Sequence, residues 1–163
     1  MAKFQLHDET TAPEGARDFL AGINKKMGFI PSLYAVFAEN PTVLNAYTQL
    51  ADQLGKSGLT PLEQQVVTIA ASVENECHFC VAAHTTISES VGLDLDVIAA
   101  VRDDRAIADP RLEALRVFTK KTVIDRGFVS DADVDAFLAA GWTRANVLAV
   151  ILGVALKVIS NYT

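Results

Sequence analysis

Residues 59–84 read LTPLEQQVVTIAASVENECHFCVAAH, and this stretch contains both a clear helix start and a cysteine pair. Residues 60–63, TPLE, form a capping-box pattern, with a threonine cap, proline at the first helical position and glutamate at the third. The apolar residues that follow recur at helical spacing, which predicts a helix that ends near Glu74-Asn75. A second helix is expected to start at the cysteine motif and to run to about Val91-Gly92. The stretch therefore predicts two consecutive helices joined by a short turn.

The rest of the chain alternates between amphipathic segments and short breaks at glycine, proline, asparagine and aspartate. No run of alternating apolar and polar residues indicates a strand. Including the two helices above, helices are expected at about residues 14–27, 31–38, 41–54, 61–74, 77–91, 95–101, 110–126, 131–140 and 144–161. The pattern predicts an all-α domain, a bundle of about seven to nine helices.

Length and composition favour a single domain that covers residues 1–163. Half of the residues are hydrophobic and the net charge is −6, so a sizeable core can form and nucleic-acid binding is not expected. The longest apolar run, Val147 to Leu156, is too short to span a membrane and is bracketed by Asn146 and Lys157, which predicts a buried core helix and no membrane association. The N-terminal residues lack the apolar segment of a secretion signal, which favours a cytoplasmic protein.

The side chains best suited to redox and acid–base chemistry lie together in one short stretch. Both cysteines of the chain, Cys77 and Cys80, and two of its three histidines fall within eight residues. On a helix that starts near Cys77, the two cysteines and His84 share one face. The same face carries Ile87 and Val91, so it is expected to look inward and to form a partly dry site.

Three physical effects favour thiol chemistry at this site. Unpaired N–H groups at a helix start stabilise a thiolate and can lower a cysteine pKa from about 8.5 to roughly 3.5–7.5. His84 can take up or return a proton near neutral pH. A second thiol three residues away can resolve a sulfenic acid into a disulfide. The set can reduce a peroxide or exchange disulfides without a metal or an organic cofactor.

Two other interpretations of the motif remain open. The cysteines could be two small buried apolar residues of a helix. Alternatively, Cys77, Cys80 and His84, with His78 as a further candidate, could bind zinc, although structural zinc sites usually take two separated pairs of ligands and no second pair exists here. His78 precedes a phenylalanine and is expected to face solvent. We expect no metal.

Four polar residues near the motif bear on a proton relay, and three of them are carboxylates. Glu63 is explained by the capping box alone, whereas Gln65 lies on the inward side of its helix and is expected to point at the cysteine helix. Glu74 and Glu76 precede the motif, where negative charge favours the helix but opposes thiolate formation. Either of these two carboxylates could instead help to move protons.

The order of these segments is similar to that of a known family. Leu59-Thr60-Pro61, then Gln65-Val66-Val67, then Cys77-x-x-Cys80-x-x-x-His84 resembles the AhpD-like (alkylhydroperoxidase D) branch of the carboxymuconolactone decarboxylase superfamily, in its subgroup of peroxidase-related proteins. The flanking segments agree, so that the resemblance covers most of the chain. These segments are residues 28–33, 141–143 and 161–163.

The resemblance implies both an architecture and an activity. It implies an AhpD-like all-α fold that assembles as trimers or hexamers. It implies that Cys80 is the peroxide-attacking thiolate, that Cys77 is the resolving cysteine and that His84 belongs to the proton relay. The implied partners are a hydroperoxide substrate and a dithiol reductant, such as a lipoylated protein, and no cofactor is implied. The mean hydropathy of +0.24 also favours a homo-oligomer that buries apolar surface between subunits.

Two positions depart from the family pattern. The family has a relay glutamate twelve residues before the first cysteine and a histidine directly before the second, whereas this chain has Gln65 and Phe79. The predicted function is a thiol-dependent hydroperoxide reductase. The alternatives are a disulfide oxidoreductase without peroxidase activity or a redox sensor, a decarboxylase of the wider superfamily, and a metal-binding protein.

Overall fold

The computed structural model describes residues 4–163, and all regular structure in this part of the chain is α-helical. The helices are α1 Glu14–Met27, α2 Ser32–Phe37, α3 Pro41–Gly55, α4 Pro61–Glu74, α5 His78–Ser90, α6 Leu95–Arg102, α7 Pro110–Ile124, α8 Asp131–Ala139 and α9 Arg144–Asn161. The all-α prediction is confirmed, and each expected helix is present with ends that differ by at most two residues.

The helix starts follow from their capping side chains. Thr60, Ser130 and Thr143 each take part in a reciprocal capping box with the third residue of the helix that follows. Asp94 and Asp109 accept hydrogen bonds from N–H groups in the first turns of α6 and α7. Because these local bonds satisfy donors that the helix itself leaves unpaired, the starts can be predicted from sequence.

The end of α7 shows where such predictions lose accuracy. The helix ends at Ile124, two residues before the expected end at Arg126. Arg126 has a φ of 53°, and the N–H of Gly127 donates to the carbonyl oxygen of Thr122 at 2.9 Å. An arginine thus adopts the left-handed conformation that glycine usually supplies, and the helix closes earlier than the glycine suggests.

The chain divides into two compact units, and the first ends at Ala51 and includes Thr163. Its helices are α1, α2 and most of α3. The aromatic rings of this unit form a chain of edge-to-face contacts, from Phe19 to Tyr34, from Tyr34 to Tyr47 and from Tyr47 to Phe37, with centroids 5.0–6.4 Å apart. Such aromatic pairs stabilise the fold by more than the burial of their apolar area alone.

The second unit is Asp52–Tyr162, and α4 is its central helix. It packs against α5, α6, α7 and α9. Its buried residues follow one another almost without a gap: Glu63, Val66, Val67, Thr68, Ile69, Ala70, Ala71 and Ser72. Gly153 of α9 lies so near to α4 that a Cβ atom there would be 2.6 Å from Cγ1 of Val67. The organisation of residues 1–163 as a single domain stays a prediction.

Helix α9 contains the long apolar run but is not the wholly buried core helix that was expected. One third of its 18 residues are buried, and Leu148 and Ile151 are 67% and 46% exposed. Among the described residues, α9 is the one helix long and apolar enough to cross a membrane; core helices of soluble proteins pass the same test, so this is weak support for a membrane span. The side of α9 that is buried faces α4 and carries polar residues as well as apolar ones.

Candidate active site

The turn between α4 and α5 places the first cysteine. Glu76 has a φ of 53°, and the N–H of Cys77 donates to the carbonyl oxygen of Ser72 at 2.9 Å, which closes α4. Cys77 is the N-cap of α5, one residue before the helix begins at His78. The predicted start of the second helix at the cysteine motif is therefore confirmed.

The two thiols differ in their exposure. Cys80 is 3% exposed, whereas Cys77 is half-buried, and both cysteines are free. The Cys80 thiol donates to the carbonyl oxygen of Ser160 in α9 over 3.9 Å. His78 and Phe79, which lie between the cysteines, are exposed, as was expected for His78.

The inward face of α5 is shorter than expected. Cys80 and Ser88 are buried and His84 is half-buried, but Ile87 and Val91 are 47% and 62% exposed. The prediction that Ile87 and Val91 face the interior is wrong. Helical periodicity shows which residues of α5 share a face. Burial of that face also requires a neighbouring element along its whole length, and periodicity does not show whether one is present.

Both ring nitrogens of His84 have partners from other helices. Nδ1 lies 2.8 Å from Oε1 of Gln65 and 3.3 Å from Oγ1 of Thr68, both in α4. Nε2 lies 3.0 Å from Nζ of Lys157 in α9. Because the Gln65 carbonyl oxygen only accepts, it selects the tautomer with the proton on Nδ1, so that Nε2 accepts from Lys157. The expectation that Gln65 points at the cysteine helix is confirmed.

Lys157 is the residue of this site that sequence patterns did not single out. Its side chain is 1% exposed, on the face of α9 that packs against α4. It also interacts with Cys80 by charge. From the sequence, Lys157 was noted only as the residue that follows the apolar run from Val147 to Leu156. The signal that could have found it is a lone lysine in the interior of a helix that is otherwise apolar, since lysine is almost never fully buried unless paired.

Burial sets the electrostatics of the site. Burial lowers the pKa of His84 to about 3, with a further contribution from the charge of Lys157. Burial also lowers the pKa of Lys157, although the two cysteines act in the opposite direction. These shifts favour the neutral forms of both groups. The expectation that His84 takes up a proton near neutral pH is therefore wrong.

The Cys80 thiol is also shifted away from its charged form. Burial raises its pKa, and the hydrogen bond with Cys77 raises it further, while Lys157 and Asn161 lower it by a smaller amount. The expectation that the helix start lowers the pKa of the thiol is not met at Cys80, because burial raises that pKa more than the neighbouring groups lower it.

Asparagine and serine side chains connect the ends of α4 and α9 beside the thiols. Asn75 Nδ2 donates to Asn161 Oδ1 at 3.0 Å, and Asn161 Nδ2 donates to Ser72 Oγ at 3.2 Å. Ser72 donates in turn to the carbonyl oxygen of Thr68 at 2.7 Å. These bonds fix the position of α9 against α4, and thus of Lys157 against α5.

The candidate relay carboxylates have other partners. Glu63 accepts from the N–H of Thr60 and pairs with Arg111 at 2.5 Å. Burial alone would raise its pKa, but the hydrogen bonds from Thr60 and Arg111 hold it below its usual range. Glu74 pairs with Lys120 of α7 at 2.9 Å. The structural explanation of Glu63 is confirmed, and neither carboxylate contacts His84.

The described residues contain no group of three or more histidine, cysteine, aspartate or glutamate side chains placed to hold a metal ion. At His84, the two nitrogens that could bind a metal are already hydrogen-bonded to Gln65 and Lys157. The site is thus a pair of thiols next to an imidazole and a buried amine, all carried by packed helices.

Comparisons with known proteins agree with this description. The model of the carboxymuconolactone decarboxylase family matches residues 41–120, which include Gln65, both cysteines and His84. No curated protein matches the chain.

Several solved structures have the same fold. A peroxidase-related protein with an alkylhydroperoxidase AhpD core, from Ralstonia eutropha JMP134, is 25% identical with a TM-score of 0.85, over 98% of this chain and 86% of that one. A peroxidase-related protein from Silicibacter sp. TM1040 is 20% identical with a TM-score of 0.82, over 98% and 85% of the two chains. The debrominase Bmp8, as a cysteine-to-alanine variant in complex with 2,3,4-tribromopyrrole, is 12% identical with a TM-score of 0.80, over 99% and 87%.

Fold and site together define an all-α protein with a dithiol at the start of helix α5. The chain is similar to the AhpD-like and carboxymuconolactone decarboxylase superfamily, through the family model that matches residues 41–120 and through the fold it shares with the structural neighbours. This similarity supports a peroxidase-related or decarboxylase-type function.

Proposed function

We propose that the protein is a thiol-dependent hydroperoxide reductase whose two cysteines cycle through a disulfide. The observation that carries the proposal is the arrangement of a buried Cys80 thiol and a more exposed Cys77 thiol on one helix start, next to His84 and Lys157. A decarboxylase of the same superfamily would leave this pair of free thiols without a role.

The proposed cycle has two covalent steps. The Cys80 thiolate attacks the outer oxygen of a hydroperoxide, the O–O bond breaks, and the alkoxide takes a proton and leaves as an alcohol. This gives a sulfenic acid on Cys80. The Cys77 sulfur then attacks the Cys80 sulfur, and the hydroxyl takes a proton and leaves as water. Two thiols and one hydroperoxide thus give one disulfide, one alcohol and one water.

The disulfide has to be reduced before the next turnover. A dithiol such as a lipoyl group would return the pair to two thiols by thiol–disulfide exchange and become a disulfide itself. A dithiol donor of this kind fits a reducing, cytoplasmic compartment. His84 belongs to the proton relay as a neutral imidazole, because its lowered pKa prevents it from storing a proton near neutral pH.

The test is a count of free thiols together with the intact mass, before and after one equivalent of tert-butyl hydroperoxide. We expect both thiols to disappear and the mass to fall by two hydrogen atoms. Cys80→Ser should abolish the reaction with peroxide. Cys77→Ser should stop at the sulfenic acid, which dimedone labels.

A different outcome would favour the alternative of a disulfide oxidoreductase or redox sensor. If the wild-type thiols survive the hydroperoxide but exchange with a small disulfide such as oxidised lipoamide, the peroxidase proposal is wrong. The glutamine at position 65 favours this alternative, because its amide cannot act as the relay carboxylate that the family resemblance implies for peroxide reduction.

A further inference from the structure

The proposed chemistry requires a group that removes the proton of Cys80, and a carboxylate does not fill this role here. Gln65 occupies the position on α4 that faces His84, and its amide is not a base near neutral pH. Glu63 and Glu74, the two acidic residues of α4, are paired with Arg111 and Lys120, and Glu76 is exposed in the turn before Cys77. The base has to be found among the remaining neighbours of Cys80.

Lys157 and Cys80 lie at the same contact between α5 and α9, because Lys157 bonds to His84, one turn from Cys80, and Cys80 bonds to the carbonyl oxygen of Ser160, one turn from Lys157. Lys157 is 1% exposed, and its charge acts on Cys80. Its Nζ lies 3.0 Å from Nε2 of His84, which accepts an N–H from it. A neutral amine held in this way directs one N–H to His84 and keeps a lone pair that can accept the proton of the thiol. His84, fixed by Gln65 on its other side, therefore orients the amine.

Charge and burial favour an uncharged lysine as long as the thiols are protonated. Burial lowers the pKa of Lys157, and the other groups that act on that pKa are Cys80 and Cys77. The facing residues of α4 at this site, Gln65 and Thr68, carry no charge. A neutral amine can accept a proton, which distinguishes this lysine from an exposed one that is always charged near pH 7.

We propose that the Lys157 amine is the base that takes the proton of Cys80 and then returns it to the leaving oxygen. The inference deepens the proposed function. Its second part, the return of the proton to the leaving oxygen, rests on that function. It assigns to a buried amine the part that a carboxylate would play.

The proton count balances at each step. Transfer of the proton from Cys80 gives a thiolate and an ammonium group without any exchange with solvent. When the thiolate attacks the hydroperoxide, the ammonium group protonates the alkoxide and becomes an amine again. It then takes the proton of Cys77 and gives it to the hydroxyl that leaves as water. The disulfide state therefore contains a neutral Lys157, with no thiolate beside it.

The first test measures the alkylation of Cys80 by iodoacetamide from pH 6 to pH 10 in the Cys77→Ser background. A lone thiol below its pKa becomes about tenfold more reactive for each pH unit, because the thiolate fraction rises by that factor. When the proton moves to an internal base, the thiolate fraction is constant over the range in which the pair holds one shared proton. We expect a flat segment in the profile with Lys157 present and a continuous rise in Lys157→Met.

Two comparisons make this test specific. Lys56→Met removes an exposed lysine that pairs with Asp52, and it should leave the profile unchanged. Circular dichroism shows whether Lys157→Met is folded. If Lys157→Met and the parent have the same profile, the inference is wrong. Because alkylation needs no peroxide, this result is independent of whether the protein reduces hydroperoxides.

The second test does not depend on how well the methionine variant packs. Lys157→Ala shortens the side chain, and added ethylamine can occupy the space that it vacates. We expect ethylamine to restore the alkylation rate of Cys80 by at least tenfold, whereas tetramethylammonium, which cannot accept a proton, should not. Equal effects of the two compounds, or no effect of either in a folded Lys157→Ala variant, would overturn the assignment of Lys157 as a base.

Discussion

His84 is held between Gln65 and Lys157, and burial beside that lysine lowers its pKa from 6.5 to about 3. As the pH falls below about 6.5, the unfolded chain takes up a proton at this histidine that the folded chain does not bind. The folded state is then destabilised, by up to about 1.4 kcal/mol per pH unit until the pKa of the folded state is reached. We expect this loss of stability between pH 6.5 and pH 3, with the full contribution of the neutral imidazole present above that range.

Urea unfolding at several pH values measures the effect. His84→Asn should remove part of the decline in the free energy of unfolding between pH 6.5 and pH 4. His78→Asn is the matched control, because His78 is exposed and lies in the same helix. Equal slopes for the two variants would show that His84 is not held neutral in the folded protein.

A single change at Gln65 tests what the missing carboxylate would do. In Gln65→Glu, a carboxylate would accept the Nδ1–H of His84 at the present distance of 2.8 Å. A negative charge there favours the imidazolium form, so we expect the pKa of His84 to rise well above 3. NMR titration of the His84 ring signals measures this shift. Gln53→Glu adds the same charge on the exposed side of α3 and should leave the pKa of His84 where it is.

At the residue scale, contacts between side chains were predicted from the sequence more accurately than their charge states. The contact between Gln65 and α5 followed from helical periodicity. The state of Cys80 did not, because a helix start favours a thiolate and burial opposes it, and only the packed structure shows which is larger. Lys157 was missed because it is 73 residues from His84 in the sequence and no local pattern connects them.

At the scale of elements, the contact between α4 and α9 depends on the absence of a side chain at position 153. A Cβ in Gly153→Ala would be 2.6 Å from Cγ1 of Val67, so that the buried Val67 side chain or the helices that carry the two residues must shift. We expect a loss of about 1–3 kcal/mol in the free energy of unfolding, as for other overpacked sites. Because α9 carries Lys157, the shift should also slow the reaction of Cys80 with peroxide.

Chemical unfolding measures this cost, and the chain supplies two controls. Gly22 lies in α1, and a Cβ added there would meet nothing within 4 Å, so Gly22→Ala should stabilise by about 0.5–1 kcal/mol through its higher helix propensity. Adding Val67→Ala to Gly153→Ala should recover part of the loss. A Gly153→Ala variant as stable as the wild type would contradict the close contact.

Helix boundaries were the most predictable part of the fold, and helix faces the least. Capping residues such as Thr60 and Ser130 act on their own helix, so their effect is visible in a few consecutive letters. The exposure of Ile87 and Val91 depends on where neighbouring helices end, and that information is spread over the whole chain. The same reason explains why α9, although apolar, is only one-third buried.

At the scale of the whole molecule, the uncovered side of α9 bears on assembly. Leu148 and Ile151 are exposed, and a groove of about 310 Å³ with a largely apolar lining runs between α7 and α9. Burying such surface in a second copy of the chain is favourable. We expect the protein to be a homo-oligomer, and the combined change Leu148→Lys and Ile151→Lys to give a smaller species.

Size-exclusion chromatography with light scattering measures the mass in solution. Leu95→Lys places the same charge on an exposed apolar residue of α6 and should leave the mass unchanged. A wild-type protein that elutes as a monomer would contradict the prediction, and so would a double variant with unchanged mass.

The unequal exposure of the two sulfurs determines which sulfur of the proposed disulfide the reductant attacks. A dithiol carried on another macromolecule reaches the half-buried Cys77 before the enclosed Cys80. Exchange then joins the reductant to Cys77 and releases Cys80. The second thiol of the donor then attacks the mixed disulfide, which leaves the donor as a disulfide and Cys77 as a thiol. The pair thus meets its oxidant at one sulfur and its reductant at the other.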